Sequence, residues 1–228
     1  MTATATPGIE TTPPSGPRRP LTVLLTVIIA VAALVIAGTA GWFLGGGNSA
    51  SKSSVSESSV DAGFARDMST HHTQAVTMAN YERDNSTDSA LKVLAYDIET
   101  SQQFQIGEMQ GWLDAWGLSR SSSRPEMAWL RGQMHMAADG LMPGMATPAQ
   151  MNTLESSHGR ALDVLFLQLM IHHHQGGLPM AQYAVSHAET SYVRDLAQAM
   201  YNAQSAEIVE MERLLRTLGG SPLPPPDA

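Results

Sequence analysis

The sequence predicts an all-α protein: a four-helix bundle built from two duplicated helical hairpins, preceded by one N-terminal transmembrane helix. Three observations carry this expectation. Residues 21–44 form an uncharged apolar run, the chain beyond residue 60 repeats itself at a spacing of 102 positions, and the apolar residues of each repeat recur at steps of three and four.

Residues 1–20 are rich in Thr and Pro and read as a disordered cytoplasmic N-terminus. The run LTVLLTVIIAVAALVIAGTAGWFL at 21–44 carries no charge. A hydrocarbon core needs about 20 apolar helical residues, so the run is long enough to span it. Arg18 and Arg19 precede it, which orients the N-terminus inward and the rest of the chain outside the cytoplasm. A cleaved signal peptide is the alternative, with Gly38-Thr39-Ala40 or Asn48-Ser49-Ala50 as cleavage sites. Both readings export the remaining chain, as a single-pass membrane protein or a secreted one. Without cysteine no lipoprotein anchor is available. Residues 45–59, GGGNSASKSSVSESS, form a flexible linker, spanning roughly 20 Å by random-coil scaling.

The exported part, 60–219, is expected to be one domain. Asp61, Phe64, Met68, His71, His72, Met78, Ala79 and Tyr81 recur as Asp163, Phe166, Met170, His173, His174, Met180, Ala181 and Tyr183. The register holds without a gap through Leu94-Ala95, Gln102, Ile106, Glu108-Met109, Leu113 and Gly117, which meet Leu196-Ala197, Gln204, Ile208, Glu210-Met211, Leu215 and Gly219. A duplicated unit explains this agreement better than chance. The first repeat covers 60–117, the second 159–219, and a Met-rich connection 118–158 joins them. Residues 220–228 read as a disordered tail.

Within each repeat the pattern implies two helices. Phe64, Met68, His71, Ala75 and Met78 share one helical face. Asn85-Ser86-Thr87-Asp88 supplies a turn and a cap. Leu91, Ala95, Ile98, Gln102, Ile106, Met109, Leu113 and Trp116 mark a second helix, and Gly117 and Gly219 stand where glycine stops one. Two such hairpins bury their four apolar stripes as a bundle. In the connection, Thr147-Pro148-Ala149-Gln150 has the form of a capping box with Pro at the first helical position, opening a short helix that breaks near Gly159. Proline at 179 is expected to kink its helix.

Composition narrows the chemistry. The chain has 228 residues, 43% apolar and 15% charged, with a formal charge of −8 and no basic patch, which argues against nucleic acid as a partner. It has no cysteine but 14 methionines, all but Met1 from Met68 onward, and all 8 histidines lie beyond residue 70. All the soft sulfur is therefore thioether, sharing one region with every imidazole. Methionine as core filler accounts for isolated positions. It does not account for M-x2-HH-x5-MA occurring twice.

On a helix, residues three and four apart are neighbours, so Met68 can approach His71 or His72, and Met78 lies two turns beyond on the same face. Met170, His173, His174 and Met180 repeat the set. Adjacent histidines diverge by about 100°, so one of each pair is expected to face the bundle axis and the other a neighbouring helix. Burying a polar ring without a partner is costly. A satisfied core histidine is the usual explanation for one such residue, but a duplicated Met/His-His set favours a metal. Thioether and imidazole select Cu(I). Zinc and iron, which would leave the thioethers idle, are weaker candidates.

Secondary metal candidates are Met109, Met211, Met134, His135, Met136, Met142 and Met145, with loop packing as the competing role for the 134–151 segment. Gln102 and Gln204, on the apolar face of each second helix, are candidates to hydrogen-bond the ligating histidines, or else to fix helix register. His172 is expected to be exposed, His158 and His187 are expected on the surface, and Trp112, Trp116 and Trp129 in the core or an interface. No catalytic residue is assigned: the sequence has no nucleophile motif, no phosphate-binding glycine loop, and no Glu-x-x-His accompanying the HH pairs.

The pattern F-x3-M-x2-HH-x2-A-x2-MA, met fully from Phe64 to Ala79, resembles the bacterial family catalogued as domain of unknown function 305. In the second half Phe166, Met170, His173, His174, Met180 and Ala181 match it, with Met142-Pro143-Gly144-Met145 and Thr147-Pro148 upstream. The resemblance covers about 61–219. It implies a duplicated, ferritin-like helical bundle and, because some members resemble periplasmic copper-binding or copper-resistance proteins, a role in copper buffering or resistance. Two departures stand out: Gly177 where Ala is usual, and Pro179 inside the helix. A ferritin-like metal-dependent redox enzyme and a structural or interaction module without metal are the competing functions.

Overall fold

The computed structural model describes residues 55–226. Among them the chain forms five α-helices, one 3-10 turn and no strand. They are α1 (Val60–Asn85), α2 (Ser89–Trp116), the turn Ala128–Leu130, α3 (Pro148–Ser156), α4 (Arg160–His187) and α5 (Ser191–Thr217). The proposed membrane span at 21–44 lies outside the described residues. None of the described helices is long and apolar enough to cross a membrane.

Local chemistry sets the helix boundaries. Ser59 Oγ accepts from the Ala62 N–H at the start of α1, and Asp88 accepts from Ala90 and Leu91 at the start of α2. These satisfy amides that a helix N-terminus otherwise leaves open. Gly117 ends α2 with φ 71°, a left-handed conformation that glycine adopts without strain. The capping box at Thr147 and Gln150 forms as the sequence implies. Proline 179 does not end α4. The helix runs on to His187, with Pro179 on its exposed side and Met180 fully buried behind it.

α1 pairs with α2 and α4 with α5, and the two hairpins meet where α1 packs on α4. Duplicated aspartates lock that meeting. Asp61 of α1 accepts from the Glu189 and Thr190 amides at 2.8 and 2.9 Å and from the Thr190 hydroxyl at 2.7 Å, in the loop of the other hairpin. Its counterpart Asp163 of α4 accepts from Ser86 Oγ at 2.7 Å, in the loop of the first. Beside Asp163 lies Glu82, fully buried, with neither carboxylate oxygen paired to a donor. Burial first, then the charge of the neighbouring Asp163, push the Glu82 carboxyl up to about 8. It is therefore protonated at neutral pH.

The apolar core divides into two clusters. One gathers Phe64, Met68, Met109 and Leu113 of the first repeat with Met180, Ala184, Val193 and Met200 of the second. The other gathers Met78, Leu91, Ala95 and Ile98 with Phe166, Met170, Met211 and Leu215. The repeat exchanges the clusters: Met68 and Met109 lie in one, their counterparts Met170 and Met211 in the other. The histidine pairs sit between Met68 and Met78 on α1, and between Met170 and Met180 on α4, so they divide the clusters.

Candidate functional site

All four paired histidines are buried. His71 and His173 meet across the α1–α4 contact, ring centroids 3.8 Å apart and planes tilted by 37°. His72 and His174 turn outward from this contact to the second helix of their own hairpin. The divergence of adjacent helical residues accounts for the split.

Each imidazole donates its Nε2–H to an oxygen. His71 donates to the Pro143 carbonyl at 3.1 Å, and His173 to the His71 carbonyl at 3.0 Å. His72 donates to Gln105 Oε1 at 2.8 Å, and His174 to Glu207 Oε2 at 2.7 Å. An acceptor-only partner at Nε2 fixes the tautomer, so the lone pair resides on Nδ1 in every ring. Nδ1 of His71, His72 and His174 is buried and without a partner.

Burial favours the neutral form of His71, His72 and His173. It lowers His71 to about 4, against a smaller opposing effect of the Pro143 carbonyl. It lowers His72 to about 3, with the neighbouring His71 acting in the same direction. His173 lies well below the ordinary histidine value through burial and then the charges of His71, His174 and His72. Neutral imidazole is the form that binds metal.

The acceptors Gln105 and Glu207 occupy equivalent repeat positions, 102 residues apart. Matching by identity passes over this pair because one member is an amide and the other a carboxylate. A search for polar counterparts beside Gln102 and Gln204 would have found it. Gln102 and Gln204 themselves do not partner the histidines. Both are buried, and the side-chain oxygen of each lacks a donor. They sit one helical turn before Gln105 and Glu207, so the neighbouring turn takes the contact expected of them. Gly177 explains one departure from the family pattern: a Cβ there would lie 2.8 Å from Gln204 Oε1 and 3.4 Å from His71 Cε1. Its absence lets the Gln204 amide approach the histidine layer.

The connection between the repeats breaks their symmetry at the centre. Met142-Pro143-Gly144-Met145 docks on α4, where a Cβ on Gly176 would fall 2.0 Å from the Pro143 oxygen and one on Gly144 would fall 2.5 Å from the His172 oxygen. Gln74 of α1 pins the end of the segment, donating to the Ala146 carbonyl at 2.9 Å and accepting from its amide at 2.7 Å. The docked loop carries the Pro143 carbonyl to His71. Neither Gln74 nor this docking was legible from spacing.

The thioethers of Met68, Met78, Met170, Met180, Met109 and Met211 are fully buried, and Met142 is buried as well. Met145 and Met136 are half-buried, Met134 is buried and His135 is exposed, the last three away from the histidine layer around an outer recess. His172 is half-buried and bonds through Nδ1 to the Pro224 carbonyl at 2.9 Å. His158 and His187 are exposed, Trp129 is buried, and Trp112 and Trp116 are half-buried against Tyr192. Among the described residues, no three His, Asp or Glu side chains form a group able to hold a metal.

The family model described as "Domain of unknown function (DUF305)" matches residues 61–215. No curated protein matches the chain. Among solved structures, it is similar to a DUF305 protein from Streptomyces coelicolor, described as a candidate secreted protein. The two are 43% identical with a TM-score of 0.69, over 74% of this chain and 99% of that one. A DUF305 fragment from Deinococcus radiodurans is 30% identical, with a TM-score of 0.58 over 69% and 96%. CopM in its Cu(II)-bound form is 27% identical, with a TM-score of 0.54 over 70% and 97%. Its Cu(I)-bound and Ag-bound forms also match, each 26% identical. By its sequence match and its helical architecture alike, the chain belongs to the DUF305 family.

Proposed function

We propose that this chain is an extracytoplasmic, membrane-anchored protein that binds a soft metal ion, Cu(I) foremost, for buffering or resistance. The observation that carries the reading is the half-satisfied state of the buried imidazoles. Their Nε2–H groups are fixed on oxygen acceptors, while Nδ1 of His71, His72 and His174 bears an unused lone pair in the core. A ligating histidine is typically held in this way, its second nitrogen donating to a carbonyl or carboxylate. Met68, Met78, Met170 and Met180 flank the layer on both sides and supply the soft donors that favour Cu(I) over hard cations. The proposed donors are drawn from His71, His72, His173, His174 and these four methionines, with no more than two of the histidines serving any one ion. Copper and silver in CopM, a protein of the same helical architecture, support the assignment. The secreted description of the Streptomyces relative and the apolar run at 21–44 support the location.

A purely structural role for the histidines is favoured by one fact: every ring already has a protein partner at Nε2. The two readings differ in what purified protein does with copper. Full-length protein in detergent is titrated with Cu(I) against a chromogenic chelator. The variant M68L/M78L/M170L/M180L preserves core volume, and H71A/H72A/H173A/H174A removes the imidazoles. Loss of at least one Cu(I) equivalent in each variant, with helical circular dichroism retained, is expected. Wild-type stoichiometry in variants that remain helical would defeat the proposal.

A further inference from the structure

A second cluster of soft donors lies outside the duplicated layer, in the connection that has no counterpart in either repeat. An open recess of about 200 Å³ is lined by Glu126, Met127, Gly132, Met134, His135 and Met136. We infer that this recess is a separate surface site for a soft monovalent cation, Cu(I) or Ag(I), held by the thioethers of Met127, Met134 and Met136 and the imidazole of His135.

Three features point the same way. The donor chemistry is selective, since three thioethers and an imidazole within one small recess suit a soft ion and offer little to magnesium or calcium. The Glu126 carboxylate at the recess adds negative charge that attracts a cation. The methionines also reach the surface of the fold: Met127 and Met134 belong to the first core cluster and Met136 packs against it, yet all three border the open recess, with exposed His135 between Met134 and Met136.

The segment is built to hold its shape. Asp67, a buried carboxylate of α1, accepts from the Met127 amide at 2.7 Å and from Trp129 Nε1 at 2.8 Å. Trp129 packs so closely on α1 that a Cβ on Gly63 would lie 2.4 Å from it. Met127 and Arg131 are the non-glycine residues with positive φ among the described residues, at 64° and 51°. They bracket the 3-10 turn beneath the recess. Backbone strain of this kind persists where surrounding structure enforces it, and it gathers at ligand sites. Asp67 and Trp129 provide that enforcement, and Met127 is delivered to the recess by the strained residue itself.

The site is independent of the buried layer, and one experiment separates them. Full-length protein carrying 13C-methyl methionine is titrated with Ag(I), a redox-inert probe, and followed by methyl NMR, with signals assigned by single Met-to-Leu variants. The Met134 and Met136 methyl signals should move together, saturating with one equivalent, and M134L/H135A/M136L should bind one equivalent fewer than wild type. If those two signals stay fixed while Met68, Met78, Met170 and Met180 move, the recess proposal is overturned and the buried site stands. If the recess signals move and the buried ones do not, the recess stands and the core proposal fails.

Discussion

Alanine in place of glycine normally stabilises a helix by about 1 kcal/mol, because glycine surrenders more backbone freedom on folding. At Gly176 the same change should do the reverse. The added Cβ would sit 2.0 Å from the Pro143 oxygen, 2.3 Å from its carbonyl carbon and 2.7 Å from the Gly144 nitrogen. These are backbone atoms and cannot rotate away, so the loop must retreat by about 1.4 Å to reach the 3.4 Å of ordinary contact. Forced overpacking costs about 1–3 kcal/mol. Retreat also withdraws the acceptor of the buried His71 Nε2–H, which costs about 1–3 kcal/mol more. Against the helix gain, G176A should lose about 3 kcal/mol net. That corresponds to a drop of roughly 6–12 °C in Tm for a domain of this size. Gly107 is the internal control: it lies in α2 with nothing within 4 Å of its added Cβ, so G107A should gain a few tenths to about 1 kcal/mol. Urea and thermal unfolding of both variants measure the difference. A G176A protein within about 0.5 kcal/mol of wild type would show that the loop is not seated on α4 in this way, and the origin of His71's partner would have to be found elsewhere.

Glu82 makes stability fall with rising pH. The folded state keeps this proton up to about 8, while an unfolded glutamate releases it near 4.5. Between those values the folded state holds the extra proton, so each pH unit removes up to about 1.4 kcal/mol. E82Q should match wild type near pH 4.5 and be more stable by several kcal/mol, on the order of 4, at pH 8. Chemical denaturation across that range checks this, and parallel curves for the two proteins would refute it. His71 and His72 act in the opposite sense below about 6.5, where the unfolded state takes up protons first, and they cancel in the comparison. At Glu207, the amide variant should be tolerated because Gln105 already serves His72 in this way. E207A, which orphans the His174 Nε2–H, should cost about 1–3 kcal/mol, measured by urea unfolding, and equal losses in E207Q and E207A would refute the hydrogen-bond account.

The sequence alone determined the helices of the described part, a cap within 85–88 and one at Thr147, the duplication, and the helical faces that carry the eight candidate Met and His residues, all of which the fold buries. Such features are local or periodic: a helical face is written at steps of three and four, and a repeat in matched positions. Only tertiary structure decided what each histidine touches. Pro143 reaches His71 across 72 residues of chain, and Gln105 and Glu207 reach His72 and His174 across 33. Gln102 and Gln204 met the sequence criterion for those contacts, yet one helical turn of displacement gave the contacts to their neighbours. The same holds for the Met127–Met136 recess, whose donors are visible in the sequence but are gathered only because Asp67 and Gly63 on α1 hold the turn against the bundle. Spacing along a helix fixes which residues share a face. Which atoms meet across a packed interface depends on how two helices approach, and that is set by side-chain volume and by the glycines that let backbones close together.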